Sequence, residues 1–116
     1  SLEVNNNLGN VYLAMELFED AISHYRTAIR QQPNDTTMRY NLSLAYIGAE
    51  QYANAEQSLR EVVKVDPSHW RAYHKLGEVL VARENASEAE QVLTQLLDRN
   101  PDYARRSEVE QLLQSL

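Results

Sequence analysis

Arg71 and Lys75 stand four residues apart, as do Asn6 and Asn10, and Thr37 and Asn41. At that interval two side chains share one face of a helix. A carboxylate needs cationic donors such as Arg71 and Lys75. Asparagine amides hold a peptide backbone through donor and acceptor together. The chemistry open to these residues is recognition rather than bond making. Nothing supports catalysis. No serine, histidine and acid combination has the turn motif such a set requires, and there is no glycine-rich phosphate loop. His24, His69 and His74 share no ligand spacing, so no metal is expected. With no cysteine, thiolate sites and disulfides are excluded. No cofactor is expected and the chain is read as a non-enzyme.

Such side chains need helices beneath them, and the composition favours helices. The chain has 116 residues, enough for one domain, and its 43% of hydrophobic residues can build a core. Three glycines and three prolines are few punctuation marks for a sheet protein and suit long helices. The net charge of -6 disfavours nonspecific nucleic-acid binding, while leaving room for a local basic patch. No apolar run is long enough to span a bilayer, so no membrane insertion is expected. The opening SLEVNNNLGN carries no secretory pattern and no initiator methionine. The chain therefore reads as a piece of a longer protein, and its compartment stays open.

Pro33, Pro67 and Pro101 are spaced by 34 residues. The same step links Leu8, Leu42 and Leu76; Gly9, Ser43 and Gly77; Tyr12, Tyr46 and Leu80; Ala21, Ala55 and Ala89; and Tyr25, Leu59 and Leu93. Small stays small and large apolar stays large, which is the mark of an internal repeat. Within each repeat two apolar stripes recur at three and four residues, such as Leu8, Val11, Tyr12 and Met15, then Ala21, Ile22, Tyr25, Ala28 and Ile29. Each repeat is thus a pair of helices. The predicted spans are 2–15, 19–31, 36–49, 53–65, 70–83, 87–99 and 104–115. Gly9 and Gly77 sit inside helices, which costs about 1 kcal/mol against alanine and implies close helix contact. Each proline ends a second helix, and Asn34 or Asp35, Ser68 and Asp102 are the expected caps of the next. Val109, Leu112, Leu113 and Leu116 give the last segment an apolar face that can cover the stack. Leu2, Val4 and Val11 have no such cover before them.

These positions resemble the tetratricopeptide repeat family, whose pattern is an aromatic, Leu-Gly, Tyr, Ala, an aromatic, a second Ala and a closing Pro. Repeat one, residues 2–35, departs at Asn5. Repeat two, 36–69, has Arg39 at the first aromatic and Ser43 for glycine. Repeat three, 70–103, restores the aromatic as Tyr73 and departs at Leu80 and Leu96. With a capping helix over 104–116, the resemblance implies one all-α domain over residues 1–116. Its architecture would be a right-handed superhelical stack of antiparallel hairpins, an α-solenoid.

The family places its groove residues on the first helix of each hairpin. The matching positions are Asn6, Asn10 and Leu13; Thr37, Tyr40, Asn41, Leu44 and Ile47; and Arg71, His74, Lys75, Glu78 and Val81. Five of these look like the family's carboxylate clamp, which grips a peptide's C-terminal carboxylate. Asn10 and Asn41 match it, Arg71 and Lys75 exchange the two cationic types, and Asn6 replaces a lysine. The exchange matters, since guanidinium and ammonium differ in geometry. The resemblance implies a protein or peptide partner, acidic or gripped by its C-terminus, contacting Asn6, Asn10, Tyr40, Asn41, Leu44, Arg71, His74 and Lys75. Tyr40 is expected to be exposed in the groove. Two other readings stand beside this one. Arg71 and Lys75 can be ordinary solvated charges, with Glu78 neutralising Lys75. Alternatively, the stack is a scaffold that self-associates as a homo-oligomer or joins further repeats, as the uncovered start at Leu2 and Val4 favours.

Overall fold

The apolar stripes become seven helices: α1 (Leu2–Ala14), α2 (Phe18–Gln31), α3 (Thr36–Gly48), α4 (Tyr52–Val65), α5 (Trp70–Ala82), α6 (Ala86–Arg99) and α7 (Arg106–Gln114). The computed structural model describes all of residues 1–116. α1 packs on α2, α3 on α4 and α5 on α6, and the three hairpins join through α2 against α3 and α4 against α5. α7 closes on α6. The result is the expected all-α stack, 42 × 24 × 21 Å. No helix is long and apolar enough to cross a membrane.

Small residues at fixed register set the closeness of the pairs. A Cβ on Gly9 would lie 2.6 Å from Cε1 of Tyr25, and one on Gly77 would lie 2.4 Å from Cδ2 of Leu93. Tyr25, Leu59 and Leu93 hold one register position on the second helices, and each is 0% exposed. Ala21, Ala55 and Ala89 are likewise 0% exposed. Ser43 stands where the other repeats have glycine. It is buried too, and its hydroxyl donates to the carbonyl of Tyr40, so no polar group is left unsatisfied there.

The turn inside each hairpin carries a feature the sequence reading missed. Glu16, Glu50 and Glu84, again 34 residues apart, have φ of 59°, 59° and 62°. In the first turn the N–H of Leu17 reaches the carbonyl of Tyr12, and that of Glu16 reaches Leu13. The same pair of bonds recurs at Gln51 to Tyr46 with Glu50 to Ile47, and at Asn85 to Leu80 with Glu84 to Val81. This is a Schellman ending with glutamate where glycine is usual.

Between hairpins, two of the expected caps are corrected. Asp35 does cap α3, accepting from the Met38 N–H at 2.9 Å. Ser68 does not cap α5; Nδ1 of the next residue, His69, accepts from the Ala72 N–H at 3.2 Å. Asp102 does not cap the last helix either. α7 starts at Arg106 with no side-chain cap, because Tyr103 first turns inward and is buried, and the chain needs Ala104 and Arg105 to come back out. Polar contacts then tie neighbouring hairpins. Arg60 on α4 pairs with Glu56 and, across to α6, with Glu88, while Arg83 also reaches Glu56. Burial would raise the Glu56 carboxyl, but the hydrogen bonds from Arg60 and Arg83 outweigh it and hold the carboxyl below its usual range.

Candidate functional site

The three first helices α1, α3 and α5 carry every residue expected at the site, and the 34-residue register arranges them in rows. Asn6, Tyr40 and His74 form one row, Asn10, Leu44 and Glu78 a second, and Asn41 and Lys75 fall in a third.

The first row lies deeper than the sequence implied. Oδ1 of Asn6 and Oη of Tyr40 are buried and neither makes a hydrogen bond of ordinary geometry within the chain, although the Arg71 guanidinium stands close enough to the Tyr40 phenol to act on it. Tyr40 is half-buried rather than exposed, and its ring packs on His69 with centroids 4.8 Å apart. His74 is 6% exposed. Its Nδ1 lies 3.0 Å from the Tyr103 hydroxyl, and its Nε2 lies 3.8 Å from Glu78. Burial lowers its pKa below the ordinary histidine value, against the opposing charges of Glu78 and Glu108. His74 is thus a neutral, already engaged side chain, not a free peptide contact.

The second row opens to solvent at its start. Asn10 is exposed, yet its Oδ1 accepts from the hydroxyl of Tyr25 at 2.5 Å. Tyr25 is fully buried, and burial pushes its pKa up to about 12, so the phenol stays a donor. With Oδ1 held by Tyr25, the NH₂ is the Asn10 group left to donate. Leu44 and Asn41 are half-buried.

The cations occupy the third hairpin. Arg71 is exposed, and none of the chain's ion pairs engages it. Its charge reaches Tyr40 and Tyr103: burial raises the pKa of both phenols and Arg71 opposes the rise. Lys75 is half-buried with Nζ 3.4 Å from Glu78, so its charge is partly spent inside the chain. Arg71 therefore neighbours Tyr40 and Tyr103, whereas Asn10 belongs to the opposite end of the stack.

Two contributors were missed. Tyr103 and Arg105, from the turn before α7, stand against this end, and Arg105 also opposes the Tyr40 and Tyr103 shifts. Tyr103 holds the register position of His69, and it packs on His74 as His69 packs on Tyr40, so the 34-residue step from His69 was the signal that could have found it. A cavity of about 270 Å³ lies elsewhere, between α2, α3 and α4. Its walls include Arg26, Arg39, Tyr46 and Glu61, and it shares no residue with the expected site.

A stack of 34-residue hairpins with polar side chains along its first helices defines a helical-repeat module for binding other proteins. The chain belongs to the tetratricopeptide repeat family: models described as tetratricopeptide repeat match residues 46–116 and 3–35. A search of curated protein sequences found no match. Among solved structures, the TPR2B domain of yeast Sti1 in complex with pHsp70 is 19% identical with a TM-score of 0.87, covering 97% of this chain and 92% of that one. The first TPR of Spaghetti (RPAP3), bound to the HSP90 peptide SRMEEVD, is 23% identical with a TM-score of 0.84, covering 98% and 94%. The Arabidopsis OM64 TPR domain is 21% identical with a TM-score of 0.88, covering 99% and 95%. At these identities the likeness is one of fold.

Proposed function

We propose that the face of α1, α3 and α5 binds an extended peptide from a partner protein through the peptide's carboxylate groups. The observation that carries this reading is Arg71, an exposed guanidinium with no ion-pair partner on a chain of net charge -6. Lys75 adds a weaker second charge one turn on. Asn10, whose Oδ1 is already held by Tyr25, and Asn41 supply neutral donors for the peptide backbone. Asn6 lacks the charge a lysine would bring, so the grip on a chain terminus is looser and internal acidic side chains near Arg71 count for more.

The test is a titration of fluorescent acidic peptides, SRMEEVD among them, each with a free and an amidated C-terminus. Arg71→Ala and Lys75→Ala should weaken binding by about 1.5–3 kcal/mol for each charge-assisted bond lost, with the larger loss at Arg71. The loss should shrink at high salt, because the face is open to solvent. Helical circular dichroism should be unchanged. Equal binding by wild type and the double variant would refute the proposal.

A further inference from the structure

The two seams between hairpins share one register but not one charge pattern. In the second seam, between α4 and α6, Arg60 is neutralised by two carboxylates, Glu56 on its own helix and Glu88 on α6. One 34-residue step earlier the same three positions hold Arg26, Ile22 and Asn54. The arginine is kept and both of its carboxylates are gone. Arg26 accordingly enters none of the chain's ion pairs, and neither does Arg30, one turn further along α2. Both are exposed. On a chain of net charge -6 they are cations that the chain itself does not compensate.

These two guanidiniums line the cavity of about 270 Å³ between α2, α3 and α4. Arg39 lines it too, and its side chain is fixed: one nitrogen pairs with Glu61 and the other donates to the carbonyl of Pro33 at 2.7 Å. Three arginines against the single carboxylate of Glu61 leave the lining with two net positive charges. Glu19 shares an adjoining depression with Arg26 and Arg30, but its Oε1 already accepts from Nε2 of Gln51 at 2.9 Å. Ser58 is an independent sign. It lines the cavity and is 6% exposed, yet its hydroxyl enters none of the hydrogen bonds that its α4 neighbours make. A buried hydroxyl without a partner is a group to be explained, and an acceptor seated in the cavity explains it.

We infer that this cavity is an anion site that takes the phosphate group of a phosphorylated serine or threonine on a partner protein. A guanidinium fork meets two oxygens of a phosphate at once. A carboxylate brings one charge and two oxygens, which Arg26 alone would satisfy. A phosphorylated side chain brings about 1.5–2 negative charges and three acceptor oxygens. That matches a lining with two net positive charges and unengaged donors on both α2 and α4. The volume falls short of the roughly 300–1,000 Å³ of sites for drug-sized ligands, so it suits one side chain rather than a larger phosphate ester. The cavity shares no residue with the candidate site on α1, α3 and α5, so the two can be filled independently.

The experiment titrates the full chain by isothermal calorimetry with a short peptide in which phosphoserine is flanked by alanines. Both ends are blocked, so no terminal carboxylate remains. The same peptide with serine or glutamate in place of phosphoserine, and inorganic phosphate, are the comparisons. The phosphoserine peptide should bind at least about tenfold tighter than the other three. Lowering the pH from about 7.5 to about 5.5 should weaken it, because the phosphate loses its second charge near pH 6 while the arginines keep theirs. Asn54→Glu, at an exposed position, restores the carboxylate that the second seam carries. It should cut the affinity by about tenfold without lowering thermal stability, and Arg26→Ala should cut it alike. Arg71→Ala/Lys75→Ala should bind the phosphoserine peptide as wild type does. Equal binding of the phosphoserine and serine peptides would overturn the inference. So would inorganic phosphate binding as tightly as the phosphoserine peptide, which marks a site for a free anion. A loss in Arg71→Ala/Lys75→Ala with none in Asn54→Glu would also overturn it, since the phosphate would then sit on the face of α1, α3 and α5.

Discussion

The hydroxyl of Tyr25, a side chain with no exposed surface, donates at 2.5 Å to Oδ1 of Asn10, a side chain in solvent on α1. One bond thus links the packing of the first hairpin to the orientation of a candidate binding amide. Asparagine oxygen and nitrogen present opposite hydrogen-bonding character, so the buried phenol decides which of them a ligand meets. Only the first hairpin has this arrangement, since Leu59 with Leu44 and Leu93 with Glu78 hold the same two positions further on.

Tyr25→Phe should therefore act on stability and binding together. Removing the hydroxyl loses one hydrogen bond, about 0.5–1.5 kcal/mol of folding free energy in urea denaturation. Asn10 is then free to rotate, and peptide affinity should fall although residue 25 cannot touch the peptide. Asn10→Ala should weaken binding similarly, and adding Tyr25→Phe to it should cost no further affinity. An additive loss would break the link. In a spectrophotometric titration the wild type should also keep one tyrosine protonated to about pH 12, absent from the variant.

The hairpin turns offer a gain rather than a loss. Glu16, Glu50 and Glu84 hold left-handed backbone that glycine adopts without penalty. Glu50→Gly should stabilise the chain by about 1 kcal/mol, measured as a higher urea midpoint at unchanged slope. Glu16 and Glu84 should behave alike, because all three turns share the same pair of backbone bonds. A lower midpoint would mean that the carboxylates make contacts worth more than the backbone strain.

These turns also show where sequence reading stops. Helix spans, hairpin pairing and the close approach at Gly9 and Gly77 were legible, because size and hydropathy recur at a fixed interval. The conformation of Glu16 was not, since glutamate has no preference for left-handed backbone and only its repetition at 50 and 84 hints at a role. At the candidate site, the register placed Asn10, Asn41, Arg71 and Lys75 on the first helices. It could not tell that His74 is buried. His74 meets Tyr103 as Tyr40 meets His69 one 34-residue step earlier, so the contact belongs to the repeat, but the residue types at these positions do not announce it.

Gly77→Ala should be costly in a way an ordinary helical substitution is not. Alanine gains about 1 kcal/mol of helix propensity over glycine, but its Cβ would lie 2.4 Å and 2.6 Å from two carbons of the Leu93 side chain. Leu93 is fully buried and cannot move aside freely. The net expectation is a loss of about 1–3 kcal/mol by overpacking. Gly77→Ala with Leu93→Ala should recover part of the helix gain while leaving a cavity, so the two changes should not be additive. Additive losses would show that Leu93 is not the obstacle.

His74 should give the chain an acid-side weakness centred on its third hairpin. Burial holds its folded-state pKa below the ordinary value, with Glu78 and Glu108 opposing and Lys75 and Arg71 assisting. The unfolded chain therefore takes up the proton first as pH falls. Stability is complete above about pH 6.5, declines as pH drops below it, and levels off once the folded histidine is also protonated. The slope from this one group cannot exceed about 1.4 kcal/mol per pH unit. His74→Gln should be less stable than wild type at pH 8, having lost the contact with Tyr103, and the gap should narrow as pH falls to 5. His24 and His69 remain in both proteins, so the narrowing isolates position 74. If the two stability curves ran parallel from pH 8 to 5, His74 would titrate alike in the folded and unfolded chain. Its burial beside Tyr103 would then have no electrostatic consequence.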